Sequence, residues 1–295
     1  MKVKNILVPI DFSDISHFAA DYALFLAEQF DARITLLHII ELYRKDLGEE
    51  EHFKDFERYL EKKEKARVKK LKEKQAAAEN MGVKIDDKIL RGLSAADTIL
   101  NFIEDNDYDL VVMGTAGRKG ISKWVFGGVA TKVVRESSIP VLTVKRKINK
   151  PSLSKILVPV DFSEFSEIAV SEAKKISEKF GAQLHFMHCV EQQSHPEFYA
   201  ISSESILKAN PQLQKLIIHN LEKYVGEKNK ASKFMVAEGK VHEEIVRYAK
   251  NNKINMIVMA RRGAGMLEHI LLGSNAERVV AVADCPVLTV RKTDV

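Results

Sequence analysis

The chain has 295 residues, 46 Lys and Arg against 41 Asp and Glu, a formal net charge of +5 and 45% apolar residues, an ordinary globular composition. With Gly (14) and Pro (7) both scarce, collagen-like and disordered chains are excluded. Basic residues interleaved with acidic ones give no dedicated nucleic-acid or membrane surface, so small-molecule partners are expected. In chain order, residues 5–10 form a short apolar run that reads as a strand buried on both faces. Residues 16–30 carry Phe18, Ala19, Tyr22, Ala23, Leu26 and Ala27 at helical spacing. A strand at 33–40 and a long charged helix at 50–81, ending at Gly82, come next. A strand (84–90), a helix (95–105), a strand (110–113), a glycine-rich loop, a helix (124–136) and a strand (141–144) complete the first half. The second half predicts strands at 155–160, 183–190, 233–237, 256–259 and 287–290, alternating with helices at 166–180, 206–228, 242–251 and 270–283.

The halves are copies. Residues 4–12 read KNILVPIDF and residues 155–162 read KILVPVDF; Pro9 and Pro159, Asp11 and Asp161, and His38 and His188 are each 150 apart (159 − 9). Farther on, Gly117 and Gly263, Gly127 and Gly273, and Pro140 and Pro286 are 146 apart (263 − 117), so the second copy is slightly shorter in its middle. This is a tandem duplication of a unit of about 145 residues, giving expected domains 1–147 and 153–295 around a polar join, KRKINKPSLS. Strand–helix alternation with near-continuous apolar strands implies an α/β chain of two doubly wound domains. Each has a five-stranded parallel sheet, order 3-2-1-4-5, with helices on both faces.

Such sheets bind ligands beyond the carboxyl ends of their strands, which places Asp11 and Asp161 at the mouth. The glycine-rich loops lie there too: Gly114-Thr-Ala-Gly117-Arg118-Lys119 through Gly127-Gly128, and Ala260-Arg261-Arg262-Gly263 through Gly273-Ser274. Glycines permit positive φ and close backbone approach, and a following helix N-terminus adds free N–H groups, so both loops are phosphate cradles in prospect. Steric turn requirements alone also call for glycine. Arg118, Lys119, Arg261 and Arg262 either pair with phosphate or point at solvent.

The loop spacing G-x2-G-x9-G-[S/T] occurs in both copies, with Gly128 in place of Ser/Thr in the first and Ala260 in place of the first Gly in the second. Together with V-P-[IV]-D-F-S after strand one, H-[IC] ending strand two and P-V-L-T-V in the last strand, it makes the chain resemble the universal stress protein family in its tandem two-domain form. The resemblance covers nearly the whole chain, twice. It implies a cytoplasmic stress protein binding ATP or AMP, with or without Mg2+, in two domains related by a pseudo-twofold axis, with 141–144 pairing against 287–290. Carried over by motif, the adenine contact falls on Asp11 and Asp161 and a backbone contact on Ile39 and Cys189. Ribose and phosphate contacts fall on Gly114, Gly117, Gly127 and Gly128, and on Gly263, Gly273 and Ser274. Gly128 lacks a hydroxyl for phosphate, and Ala260 adds a methyl near the ribose.

Duller readings stand beside these. Asp11 and Asp161 also read as helix N-caps, compatibly with a ligand role. His38 and His188 read best as core histidines satisfied by backbone; His185 and His188 point to opposite strand faces, so one metal does not take both. Cys189 lines the base pocket and Cys285 is a small core residue. The Glu/Lys-rich stretch 57–74 describes a solvated helix. There is no Walker A motif and no G-x-S-x-G turn, so a binding module is expected. A slow ATPase and a nucleotide-free interaction scaffold remain as alternatives. Neither a signal peptide nor a membrane span is read from the sequence, and two cysteines in apolar stretches argue against a disulfide framework. A homodimer is allowed, and any protein partner is unidentified.

Overall fold

A computed structural model describes residues 2–42, 82–115, 127–191, 205–226, 232–263 and 272–291. The helix expected at 50–81 lies outside the described residues. The chain divides into two compact units, Lys2–Asn149 and Lys150–Val295. In the first, strands β1 (Asn5–Pro9), β2 (Arg33–Glu41), β3 (Ile85–Gly92), β4 (Leu110–Gly114) and β5 (Val141–Val144) accompany helices α1 (Asp14–Phe30), α2 (Ala95–Glu104) and α3 (Gly128–Glu136). The sheet runs β3-β2-β1-β4-β5 with every pair parallel. The second unit has β6 (Lys155–Pro159), β7 (Gln183–Val190), β8 (Lys233–Glu238), β9 (Met256–Ala260) and β10 (Val287–Val290). Its helices are α4 (Glu164–Phe180), α5 (Ile206–Ala209), α6 (Pro211–Val225), α7 (Val241–Asn251) and α8 (Ser274–Val282). Its order, β8-β7-β6-β9-β10, is again all parallel. Both units therefore have the order expected from sequence.

Three consecutive residues of each first strand, Ile6-Leu7-Val8 and Ile156-Leu157-Val158, are fully buried. Side chains alternate across a strand, so burial of consecutive residues means that both faces are covered. Helix α1 contributes Ala19, Ala20, Ala23 and Ala27 with Tyr22 and Leu26 to that cover, the small residues allowing close approach to the sheet. At the strand entrances, Asp109 Oδ2 accepts the N–H groups of Lys4 (2.7 Å) and Asn5 (2.9 Å). Asn255 Oδ1 likewise accepts those of Ser154 (3.2 Å) and Lys155 (2.9 Å). These clamps fix β1 and β6 at one end, which leaves their carboxyl ends to deliver Asp11 and Asp161 at the other. Among the described residues no helix is long and apolar enough to cross a membrane.

Helix boundaries depart from expectation where polar chemistry sets them. Helices α1 and α4 begin two residues earlier than the apolar periodicity indicates, because Ser13 and Ser163 cap them and accept the N–H of Ser16 and Ser166. The single helix expected at 206–228 is two: Pro211 has no N–H to continue α5, Asn210 caps α6 by accepting the N–H of Leu213, and Gly226 ends α6 at φ 66°. Helices α3 and α8 start at Gly128 and Ser274, later than the expected 124 and 270; Trp124 and Ile270 themselves lie outside the described residues.

Candidate functional site

The turn after the first strand has the same backbone plan in both units. The N–H of Ile10 reaches the carbonyl of Leu37 at 2.8 Å, and that of Val160 reaches Met187 at 2.8 Å. The outward carbonyls of Ile10 and Val160 accept from Nδ1 of His38 (2.7 Å) and His188 (2.8 Å). A carbonyl can only accept, so each Nδ1 carries the proton. Both histidines are thus backbone-satisfied, as expected. The chain then turns through Phe12 and Phe162, both at φ 63°, a left-handed conformation uncommon for a bulky residue. Their rings lie 4.8 Å and 4.7 Å from the His38 and His188 rings. In the second unit the Tyr224 hydroxyl also donates to the Ser163 carbonyl at 2.6 Å, its ring 5.5 Å from Phe162.

This turn aims the aspartates. Asp11 Oδ1 accepts Ser13 N–H (3.0 Å) and Oγ–H (2.6 Å), and Asp161 Oδ1 accepts the same pair from Ser163 at the same distances. The caps are therefore the serines, not the aspartates, which correct the N-cap reading: each aspartate sits two residues back and holds the capping serine in an Asx turn. Sequence reading passed over Ser13, Ser163 and the left-handed phenylalanines; the D-x-S-x-x-S spacing was the available signal. The serine that follows differs between the units. The Ser166 hydroxyl donates to Asp161 Oδ1 at 2.6 Å, whereas that of Ser16 donates to the Ser13 carbonyl at 2.9 Å.

The ends of the fourth-strand loops come back to the same mouth. Thr115 N–H bonds Val144 O (3.2 Å) and Gly127 N–H bonds Thr115 O (2.8 Å); Arg261 and Gly273 repeat this with Val290 O (2.9 Å) and Arg261 O (2.7 Å). Each stitch sets a helix N-terminus beside a strand end. Gly127 and Gly273 are the N-caps of α3 and α8, and neither helix has a side-chain cap bond. Gly128 and Ser274 occupy the first helical position. Gly117 lies outside the described residues, as do Arg118 and Lys119.

Space, not φ, explains two of the site glycines, Gly114 and Gly263. Gly114, Gly127, Gly128, Gly263 and Gly273 are absent from the positive-φ residues. A Cβ on Gly263 would lie 2.6 Å from Asp161 Oδ2, so the loop backbone and the carboxylate are in contact. A Cβ on Gly114 would stand 2.8 Å from Ile15 Cγ2 and 3.2 Å from the Ile15 carbonyl group, so this glycine serves the packing of α1 against β4. Gly114→Ala is expected to lower stability by about 1–3 kcal/mol, and an unchanged urea midpoint would refute that packing role. Nothing lies within 4 Å of a Cβ at Gly128.

Ile39 and Cys189 occupy equivalent places late in β2 and β7, paired with Leu90 and Ala237, and both are half-buried. The Cys189 thiol lies 3.5 Å from the Gly239 carbonyl, and burial, with Glu244 and Glu191 nearby, pushes its pKa up to about 11. It is a protonated thiol at neutral pH, not a nucleophile. Cys285 is only half-buried. Of the two readings of the loop cations, Arg261 does not follow the solvent-facing one: it is 5% exposed, and burial followed by the Arg291 charge lowers its pKa to about 10, so it stays cationic. Arg262 lies over the Phe165 ring, 5.1 Å from its centroid. Among the described residues no three His, Cys, Asp or Glu side chains gather to hold a metal.

A family model described as universal stress protein family matches residues 2–145 and again residues 153–291. The chain belongs to the universal stress protein family. A universal stress protein of Methanocaldococcus jannaschii is 34% identical over 144 residues, 48% of this chain and 82% of that protein. One from Synechocystis is 23% identical over 308 residues, covering 98% of this chain and 100% of its own length. The crystal structure of a universal stress protein from Archaeoglobus fulgidus superposes with a TM-score of 0.72 at 23% identity, over 99% of both chains; that likeness concerns the fold. In this universal stress protein the family model thus matches once in each unit.

Proposed function

We propose that both units bind an adenine nucleotide, ATP or AMP, and that occupancy acts through conformation or partner affinity in a stress response. Asp11 and Asp161 would take the base edge, with the backbone at Ile39 and Cys189 beside it. Gly114, Gly117, Gly127 and Gly128 in the first unit, and Gly263, Gly273 and Ser274 in the second, would take ribose and phosphates. Family membership supports this reading. The observation that carries it is the contact of Asp161 Oδ2 with the Gly263 backbone: residues a hundred positions apart converge at a site where a Cβ would not fit, beside the uncapped N-terminus of α8. The backbone N–H groups there favour an anion without a Walker-type lysine. Bound Mg2+ would be held by phosphate oxygens, since the described residues gather no carboxylate set for it.

The test is release of small molecules from freshly purified, denatured protein, with adenine nucleotide quantified per chain. About two per chain is expected; none released, with no calorimetric ATP binding afterwards, overturns the reading in favour of a scaffold. Gly128→Ser supplies the missing hydroxyl in open space. It should leave stability within about 0.5 kcal/mol and tighten first-unit binding about tenfold, the worth of one hydrogen bond to a charged acceptor. Unchanged affinity would show that the hydroxyl position does not face phosphate.

A further inference from the structure

We propose that Tyr224 is a positioning residue of the second nucleotide site: from α6 it holds the turn that aims Asp161 at the base edge. This rests on the nucleotide reading above. The Tyr224 hydroxyl donates to the Ser163 carbonyl at 2.6 Å, while Ser163 gives its N–H and its hydroxyl to Asp161 Oδ1. A single residue thus joins the tyrosine to the carboxylate. The Tyr224 ring meets Phe162 edge to face at 5.5 Å, and the His188 ring lies 4.7 Å from the same phenylalanine. A bulky residue at φ 63° persists only where its surroundings hold it there, and Tyr224 contacts both Phe162 and the residue after it.

Tyr224 is itself held in place. Leu221 and Val225 of α6 are buried, and Gly226 closes the helix. Lys174 Nζ of α4 donates to the Val225 carbonyl at 2.7 Å. In front of α6, the Glu238 carboxylate at the end of β8 accepts the Ser205 hydroxyl and the N–H groups of Ile206 (2.9 Å) and Leu207 (3.1 Å). The segment that carries the tyrosine is therefore tied to the sheet and to α4 independently of the turn. Burial first, then the charges of Glu167 and Asp161, raise the Tyr224 pKa above the ordinary phenol value, so the hydroxyl remains a donor at neutral pH. The Ser163 carbonyl also accepts the Ser166 N–H at 3.0 Å. Tyr224→Phe therefore loosens the turn without orphaning a buried acceptor, and it keeps the ring against Phe162. The orientation of Asp161 is what it gives up, and that carboxylate would accept from the exocyclic amine of adenine but not from the carbonyl that guanine presents there.

The experiment titrates the full chain calorimetrically with ATP, and with GTP by competition. In Tyr224→Phe one ATP equivalent per chain should weaken about fivefold, the worth of one net hydrogen bond, while the other equivalent keeps the parent affinity. GTP binding should be unmoved, so the preference for ATP falls by the same factor. On an Asp161→Ala background Tyr224→Phe should cost no further affinity, as expected when the tyrosine acts through the carboxylate. Urea unfolding verifies that each variant folds. Parent binding of ATP with unchanged affinity in Tyr224→Phe overturns the inference and leaves the nucleotide reading standing. ATP and GTP weakened together would also overturn it, since a general loosening of the pocket does not discriminate between bases. No ATP binding by the parent overturns both readings.

Discussion

Acidification from pH 6.5 to 4 is expected to remove about 3 kcal/mol of stability through one residue, His185. Its ring is fully buried in β7. Nε2 lies 2.9 Å from Gln183 Oε1 and Nδ1 lies 2.8 Å from the Tyr248 hydroxyl. The amide oxygen can only accept, so Nε2 carries the proton and Nδ1 accepts from Tyr248. A second proton would have to enter at Nδ1, against the hydroxyl's own hydrogen, in a buried place flanked by cations. Burial first, then the charges of Lys233 and Lys155, lower the His185 pKa from 6.5 to about 4.

The folded state thus binds a proton less readily than the unfolded chain. The stabilisation is complete above pH 6.5 and is lost as pH falls toward 4, because over that window only the unfolded chain takes up the proton. The corresponding position in the first unit, 35, carries Thr35, hydrogen-bonded to Tyr108. The comparison to make is urea unfolding of parent and His185→Gln at several pH values. Carboxylates titrate alike in both, so the difference between the proteins isolates the histidine. The variant should be the less stable near neutrality, and its deficit should shrink as pH drops. A deficit constant with pH would refute the assignment.

How much of this was legible depended on the length scale of the signal. The duplication and the strand order lie in hydrophobic runs and a 150-residue offset, long patterns that single polar residues do not disturb. His38 and His188 were legible because a histidine ending a buried strand has a backbone carbonyl within reach. What failed was decided by one side chain against one backbone group. Ser13 rather than Asp11 caps α1 because the aspartate, two residues back, bonds the serine instead. Pro211 divides a helix whose apolar spacing continues through it. His185 was read only as a metal candidate facing away from His188, since its partners, Gln183 and Tyr248, are fixed by packing across elements. The glycine-rich loops invited an explanation by φ, yet Gly114 and Gly263 are not among the positive-φ residues and are small because Ile15 and Asp161 stand against them.

That contact at Asp161 makes a sharper prediction than either residue alone. Gly263→Ala carries no penalty from φ, but its Cβ would sit 2.6 Å from Asp161 Oδ2, so the carboxylate or the loop must move. The carboxylate does not rotate freely, because Oδ1 holds the Ser163 N–H at 3.0 Å and the Ser163 and Ser166 hydroxyls at 2.6 Å each. Turning it breaks the set that orients the cap of α4; moving the loop instead strains the Arg261 stitches. Either response is expected to cost about 1–3 kcal/mol and to weaken nucleotide binding by the second unit at least tenfold. Asp161→Ala removes the obstructing oxygen, so on that background Gly263→Ala should cost almost nothing. The two substitutions should therefore be non-additive by about 1–2 kcal/mol in urea unfolding. Strict additivity would mean that Asp161 and Gly263 do not touch, and the convergence on which the nucleotide reading stands would fall with it.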